Sequence, residues 1–471
     1  MSRLSDARLA ALPPGVSRPG YERAGAEVGV VHLGVGNFHR AHQAVVFDDL
    51  LAAGDRRWGV CGVSLKRPAM RDALAPQDGL YTLLVRDGGG VRPRVVGALR
   101  ELLVAPESPA AVLARIAAPA TRLVTLTITE KGYDETGPDG AIALLAAGLA
   151  ARRAAGAGPL SLLSCDNLAH NGARLHERLV RAVAGDAALA AWIAREVACP
   201  DTMVDRIVPA TTDADRAEAA AALGCVDAWP VAAEPFFQWV VEDRFAGEPP
   251  PLRAAGVQVV ADVAPWEAMK LRLLNAAHSS LAYLGAPAGI ATVDAAIASP
   301  ALRAFVGRLW QQAAPTLPAS VRAQAAGYGD RLLERFANPA LQHQLRQIAM
   351  DGSRKLPQRL VDTLRDARRL GLPHDAPLVA VAAWMRFAAG RDERGAALPL
   401  EDPLAARLRP LAALPDALQA VRALLSVREV FGDDLAEDAA LAADLADAVR
   451  RLRAYGTLGA IGGDGALSSA P

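Results

Sequence analysis

The 471-residue chain reads as an α/β domain over residues 1–262, a mainly α-helical domain over 263–458 and a flexible tail over 459–471. Three observations lead there. Residues 28–33 (VGVVHL) form a continuous apolar run, as a parallel strand buried on both faces does, and it enters Gly34-Val35-Gly36 and then an amphipathic stretch. Apolar strand-length runs recur down to residue 260. From Pro265 the texture changes to helical segments at 265–284, 300–313, 318–336, 339–350, 355–370, 376–389, 403–408, 414–425 and 438–454, before a Gly/Ser/Ala-rich end.

Strand, tight glycine turn and helix form the arrangement that cradles a dinucleotide. Glycine lets backbone approach the pyrophosphate, and the helix start supplies N–H groups and positive dipole. A Rossmann-like NAD(P)-binding domain is therefore expected, with Gly34, Gly36, Asn37, Phe38, His39 and Arg40 as candidate cofactor-binding residues. His39 stands where a third glycine is expected, and by itself the turn fits a plain βα connection equally well. The strand expected at 58–65 is followed by Lys66-Arg67, with no carboxylate to hold ribose hydroxyls. Ser64 and Lys66 join the cofactor list. Lys66 and Arg67 suit the 2′-phosphate of NADP or are solvated loop charges; both readings stand.

Residues 80–85 and 91–96 flank Asp87-Gly88-Gly89-Gly90, a hairpin. A strand over 123–129 ends in Glu130-Lys131-Gly132-Tyr133, and one over 160–165 ends in Asp166-Asn167. Polar residues at a strand's carboxyl end are where α/β sheets place ligand groups. Capping of a helix at 170–183 would account for Asp166 or Asn167 but not for both. Asp205 and Arg206 are adjacent on a run at 203–209, so they face opposite sides. Residues 236–241 and 257–260 complete the strands.

Composition bounds the function. Net charge is zero with no basic block, which argues against nucleic acid and anionic membrane as partners. Four scattered cysteines without CxxC pairs argue against a zinc site or disulfide framework and for a reducing, cytoplasmic setting. The first residues lack the apolar core of a signal peptide, and no apolar run reaches the ~18 residues of a membrane span. His32, His39 and His42 follow strand–turn–helix spacing rather than one face, so no metal site is assigned. Oligomeric state is not readable.

The second domain opens on Trp266–His278 (WEAMKLRLLNAAH). At 100° per residue, Glu267, Asn275 and His278 fall within about 140° of Lys270 on one helix face. Of 51 basic residues only Lys66, Lys131, Lys270 and Lys355 are lysine, leaving 47 arginines, and there are five asparagines. A retained lysine is a candidate for work arginine cannot do, above all releasing a proton. On spacing alone a surface lysine fits as well.

The segments HLGVGNFHRAHQA, QDGLYTL, LTITEKGY, SCDNLAHNG, TMVDRIVPAT, EPFFQWVVEDRF, MKLRLLNAAHSSLAYLG and MDGSRKLPQR resemble the long-chain mannitol dehydrogenase family of polyol-specific oxidoreductases. That family includes mannitol 2-dehydrogenases and fructuronate reductases (mannonate oxidoreductases). The resemblance implies Lys270 as general base, Asn167 and Asn275 as an oxyanion hole, His278 orienting substrate and Glu267 relaying the lysine proton. It places Asp205 and Lys355 in the site lining and favours NAD.

The chemistry agrees. Oxidising a secondary alcohol requires a base for the hydroxyl proton and a hydride acceptor. A free lysine titrates near about 10.4 and must fall to roughly 7–8 to serve at neutral pH. Two carboxamides stabilise the developing alkoxide, and no metal is required. EKGY and MDGSRKLPQR look more like the fructuronate reductase branch. A sugar-acid carboxylate would want a cation, for which Lys131, Arg354, Lys355 and Arg359 are candidates; a neutral polyol would use the same groups as hydroxyl partners. The alternative is an idle sugar- or nucleotide-binding protein on the same fold, which would have no use for a deprotonatable amine.

Overall fold

The computed structural model describes residues 2–135, 137, 140–340 and 342–462. The chain divides into two compact units, Met1–Ala264 and Pro265–Pro471.

The first unit is built on a six-stranded parallel sheet: β1 (Val28–Leu33), β2 (Gly59–Ser64), β3 (Leu99–Val104), β4 (Leu123–Leu126), β5 (Leu160–Ser164) and β6 (Val197–Ala198). The spatial order is β3-β2-β1-β4-β5-β6. This is the doubly wound order, which reverses between β1 and β4 and leaves a ligand crevice at the carboxyl ends there. Both faces are covered. Val30 buries with Phe47 and Trp58, and Val31 with Ile116 and Leu145, which is why VGVVHL shows no polar alternation. β3 (LRELLV) escapes the apolar-run signal because it is the sheet edge, where Glu101 meets Arg115 at 2.5 Å.

Two smaller sheets complete the unit. Tyr81–Asp87 and Gly90–Val96 form the expected hairpin, joined by Val231–Ala233. Thr202–Asp205, Gln238–Glu242 and Gln258–Val260 form the other. Ahead of β1, Leu4, Leu12 and Val16 bury with Leu80, Leu84 and Val95. Arg23 is buried and donates to Gly97 O at 2.9 Å and Leu99 O at 3.1 Å. The helix after the glycine turn is two pieces, Asn37–Ala41 and Gln43–Ala52, broken at His42 (φ −127°, ψ −89°). The strand expected to reach residue 129 stops at Leu126, and Thr129–Asp134 turns into a helix.

In the second unit, the helix Ala276–Gly285 is buried on every side, as the central helix of a bundle must be. Pro300–Ala313, Leu345–Ala349 and Asp375–Phe387 pack around it. The last helix runs over Ala439–Gly462 with a break at Gly456 (φ 69°). Residues 459–462, expected in the tail, are therefore helical. Glu393 anchors this end, accepting from both Thr457 N and Oγ1 at 2.6 Å. The remainder of the expected tail, 463–471, lies outside the described residues.

Candidate active site

The segment expected as one α-helix is three in series: Ala264–Met269, a π-helical turn over Lys270–Asn275, and Ala276–Gly285. The π turn begins at the lysine and ends at the amide. An α-helix would set Asn275 about 140° from Lys270. An i→i+5 ladder lengthens the turn and brings residues five apart nearly into line, a geometry common at functional sites. Trp310 Nε1 donates to Leu273 O at 2.9 Å, and Arg272 donates to Thr316 O at 2.9 Å and Asp366 Oδ2 at 2.7 Å. These partners fix the turn from outside.

Glu267, Lys270, Asn275 and His278 are 9, 8, 7 and 6 % exposed, against 0 % for neighbouring Leu273, Ala276 and Ala277. Each of these residues keeps a small exposed fraction that the apolar side lacks. Asn275 Nδ2 and His278 Nε2 are buried and have no hydrogen-bond partner among the described residues. An unsatisfied buried polar atom costs roughly 1–3 kcal/mol, so two on one short segment suit groups reserved for a ligand. The His278 ring stacks on Phe336 at 4.5 Å and stands edge-on to His343 at 5.4 Å. Burial holds His278 well below its ordinary pKa, helped by the charges of His343, Arg335 and Arg359. It is therefore a neutral imidazole at pH 7.

A second π turn, Pro357–Val361, packs against the first. It contains Arg359, which is buried and donates from Nη1 to Ser279 Oγ at 3.1 Å. Just before it, Asp351 adopts φ 54°, and Asp402 receives Ser353 N and Oγ at 2.7 and 2.6 Å. Lys355 is half-buried, its Nζ 3.4 Å from Ile348 O, whereas Arg354 is exposed. Gly352 admits no side chain, since a Cβ would lie 2.5 Å from Trp384 Nε1. Sequence reasoning missed His343, which has no local pattern that marks it, and gave Gly352 no role within the MDGSRKLPQR segment.

In the first unit the glycine turn is tightly held. Gly34 has φ 96°, and a Cβ there would meet Thr127 O at 2.1 Å. Its carbonyl accepts from Thr127 Oγ1 at 2.8 Å and lies 3.2 Å from His32 Nε2, so the ends of β1 and β4 are tied across the switch point. The side chains after the turn are committed inward. Asn37 Nδ2 donates to Pro209 O and Thr211 Oγ1 at 3.2 and 3.1 Å, and Asn37 Oδ1 accepts from Arg40 Nη2 at 2.7 Å. Arg40 is fully buried, and Phe38 stacks on His42 at 4.9 Å. His39, at the third-glycine position, is buried and stacks on His32 at 3.4 Å. What Asn37, His39 and Arg40 leave for a ligand is backbone.

Burial drives the His32 pKa down to about 3 and that of His39 well below 6.5. The native unit thus refuses protons that the unfolded chain accepts below pH 6.5, so stability falls as pH falls from about 6.5 towards 3. At pH 5 the loss is about 2 kcal/mol for His32, and His39 adds to it in the same direction. The urea midpoint should therefore drop clearly between pH 7 and pH 5; equal midpoints would contradict a neutral buried stack.

At the carboxyl end of β2, Ser64 is buried, and exposed Lys66 pairs with Glu135 at 2.5 Å. Glu135 is a carboxylate distant in sequence that no reading of the β2 end would find. Beyond β4 and β5 stand exposed Lys131 and Asn167. Asp166 does not cap the helix that follows it, Asn171–Ala182. Its carboxylate accepts from Ile128 N at 3.1 Å and Thr129 N at 2.8 Å. Asp205 is buried on Thr202–Asp205, while Arg206 turns away to donate to Ala41 O and Glu234 O at 2.6 and 3.0 Å. Among the described residues no group of three or more His, Cys, Asp or Glu could hold a metal ion.

A doubly wound first unit with a tied glycine turn, and a second unit presenting a buried lysine and amide on one turn, define a dehydrogenase. Comparison with known proteins agrees. Residues 28–254 match the mannitol dehydrogenase Rossmann domain and residues 262–453 the mannitol dehydrogenase C-terminal domain. A mannitol 2-dehydrogenase of Pyrenophora tritici-repentis is 40% identical over 95% of this chain and 83% of its own. A D-mannonate oxidoreductase of Escherichia coli is 39% identical over 90% and 93%. The structure of Pseudomonas fluorescens mannitol 2-dehydrogenase, a ternary complex with NAD and D-mannitol, superposes with a TM-score of 0.86 at 35% identity, covering 98% of this chain and 99% of that one. The chain belongs to the mannitol dehydrogenase family of oxidoreductases.

Proposed function

We propose that the protein interconverts a secondary alcohol of a polyol or aldonate with the corresponding ketose or keto-uronate, the mannitol/fructose or mannonate/fructuronate pair, using NAD and no metal. The observation that carries this is the pair of unpartnered atoms, Asn275 Nδ2 and His278 Nε2, on the same short segment as buried Lys270.

In the oxidative direction Lys270, as the free amine, takes the hydroxyl proton. Asn275 and Asn167 donate to the oxygen as negative charge develops, and neutral His278 orients the substrate. Glu267, one turn before the lysine, passes its proton to solvent. In reduction the Lys270 ammonium returns the proton to the alkoxide. Positioned amide donors supply the stabilisation a metal would otherwise give.

NAD supplies the hydride acceptor when bound. The Gly34–Gly36 turn suits it: Gly34 packs against Thr127 O where a Cβ could not fit, and around Gly36 a Cβ would meet nothing closer than Gly34 O at 3.7 Å, leaving that backbone open. Gly34, Gly36, Asn37, Phe38, His39 and Arg40 hold it through the turn, and Ser64 and Lys66 choose between NAD and NADP. Glu135 beside Lys66 weakens the pull on a 2′-phosphate, so NADP is tolerated rather than preferred. Lys131, Asp205, Lys355 and Arg359 are assigned to substrate. Three cations in that set suit a sugar-acid carboxylate, as in the relative named for D-mannonate. Four free, buried cysteines suit a reducing cytoplasm.

The test is reduction of fructose and of fructuronate, each with NADH and with NADPH. Turnover of fructuronate with NADH is the expected leading activity. Silence in all four assays while NADH still binds would overturn the proposal.

A further inference from the structure

The carboxyl ends of β4 and β5 are joined by one side chain. The Asp166 carboxylate, 8 % exposed, takes Thr129 N on Oδ1 at 2.8 Å and both Ile128 N and Tyr133 Oη on Oδ2 at 3.1 Å. Tyr133 Oη is also 2.5 Å from Ser164 Oγ. Thr129 sits at φ 63°, in the left-handed region that a β-branched residue rarely adopts. Such a conformation persists only where its surroundings impose it. On the far side of Asp166, the Asn171 amide donates to Ser164 O, Asp166 O and Thr202 O at 3.1, 3.1 and 2.9 Å, and accepts from Thr202 N at 2.9 Å. Asn167 therefore follows a residue fixed through both its side chain and its carbonyl.

We infer that Asp166 is a positioning residue: its carboxylate imposes the strained Thr129 turn and so holds Asn167 and the Glu130-Lys131 segment in their working places. This rests on the proposed oxyanion role of Asn167. Asparagine at position 166 would offer one acceptor oxygen for the two backbone donors, Ile128 N and Thr129 N, and turn its N–H₂ against the other, loosening the turn.

The experiment measures kcat and KM for Asp166→Asn, Asn167→Ala and their double mutant. Asn167→Ala should lose about a hundredfold in kcat; full activity there would sink the oxyanion reading itself. Asp166→Asn should lose about tenfold in kcat, with the NADH KM within about twofold, and add less than about twofold to Asn167→Ala, because the two act as one unit. Thr129→Gly, which adopts positive φ freely, should recover at least about threefold of kcat in the Asp166→Asn background. Additive losses, or no recovery, overturn the inference. If Asp166→Asn does not fold, Tyr133→Phe replaces it. Removing one donor should lower kcat about two- to fivefold in the wild type and leave Asn167→Ala unchanged; an equal loss in both backgrounds overturns the inference.

Discussion

Lys270→Ala should lower kcat by at least about a thousandfold while leaving NADH affinity unchanged. General-base catalysis by a positioned side chain is commonly worth about 10²–10⁴, and Lys270 is the proposed sole proton acceptor for the alcohol. The residue is buried on the π turn of the second unit, whereas the glycine turn belongs to the first, so cofactor affinity should not follow the loss. Lys270→Arg should be no better than alanine, because a guanidinium keeps its proton. Steady-state kinetics paired with NADH fluorescence titration gives both numbers. An arginine variant with near-normal kcat would show that only positive charge is needed.

Asn275→Ala should lower kcat by about 10²–10³, roughly 3–4 kcal/mol of transition-state stabilisation. Its effect on folding should be small, with a melting temperature within a few degrees of wild type. Nδ2 has no hydrogen-bond partner among the described residues, so truncation removes an unsatisfied donor rather than a bond. Asn275→Asp should be worse, since a carboxylate beside a developing alkoxide repels it. A variant that lost stability and kept its rate would mark Asn275 as part of the core instead. Paired kinetics and thermal melts separate the two outcomes.

Much of this was legible in local pattern, and what escaped has a common cause. β1, β2, β4 and β5 are buried on both faces, so their apolar runs announce them, and the texture change at Pro265 falls where the compact units divide. Lys270, Asn275 and His278 stand out by residue type and spacing. The π turn does not, because Lys270–Asn275 reads equally well as α-helix. Its Leu273 carbonyl accepts from the indole of Trp310, 37 residues on. Thr129 reads as strand because Leu-Thr-Ile-Thr is strand-like, and the carboxylate that bends it is Asp166, also 37 residues on. His39 breaks the glycine pattern for a reason found only in the fold, a ring stack with His32 on β1. The π turn and the Thr129 bend are local preferences overridden by partners remote in sequence, and His39 is set by a partner just across the glycine turn.

The most direct test of the central claim is chemical rescue of Lys270→Ala by small primary amines. A proton-accepting amine at this position predicts that methylamine and ethylamine restore turnover in proportion to the concentration of free base, rising with pH. Guanidinium, which carries the charge but releases no proton, should restore nothing. Equal restoration by guanidinium, or rescue that tracks total amine regardless of pH, would contradict a general-base role for Lys270.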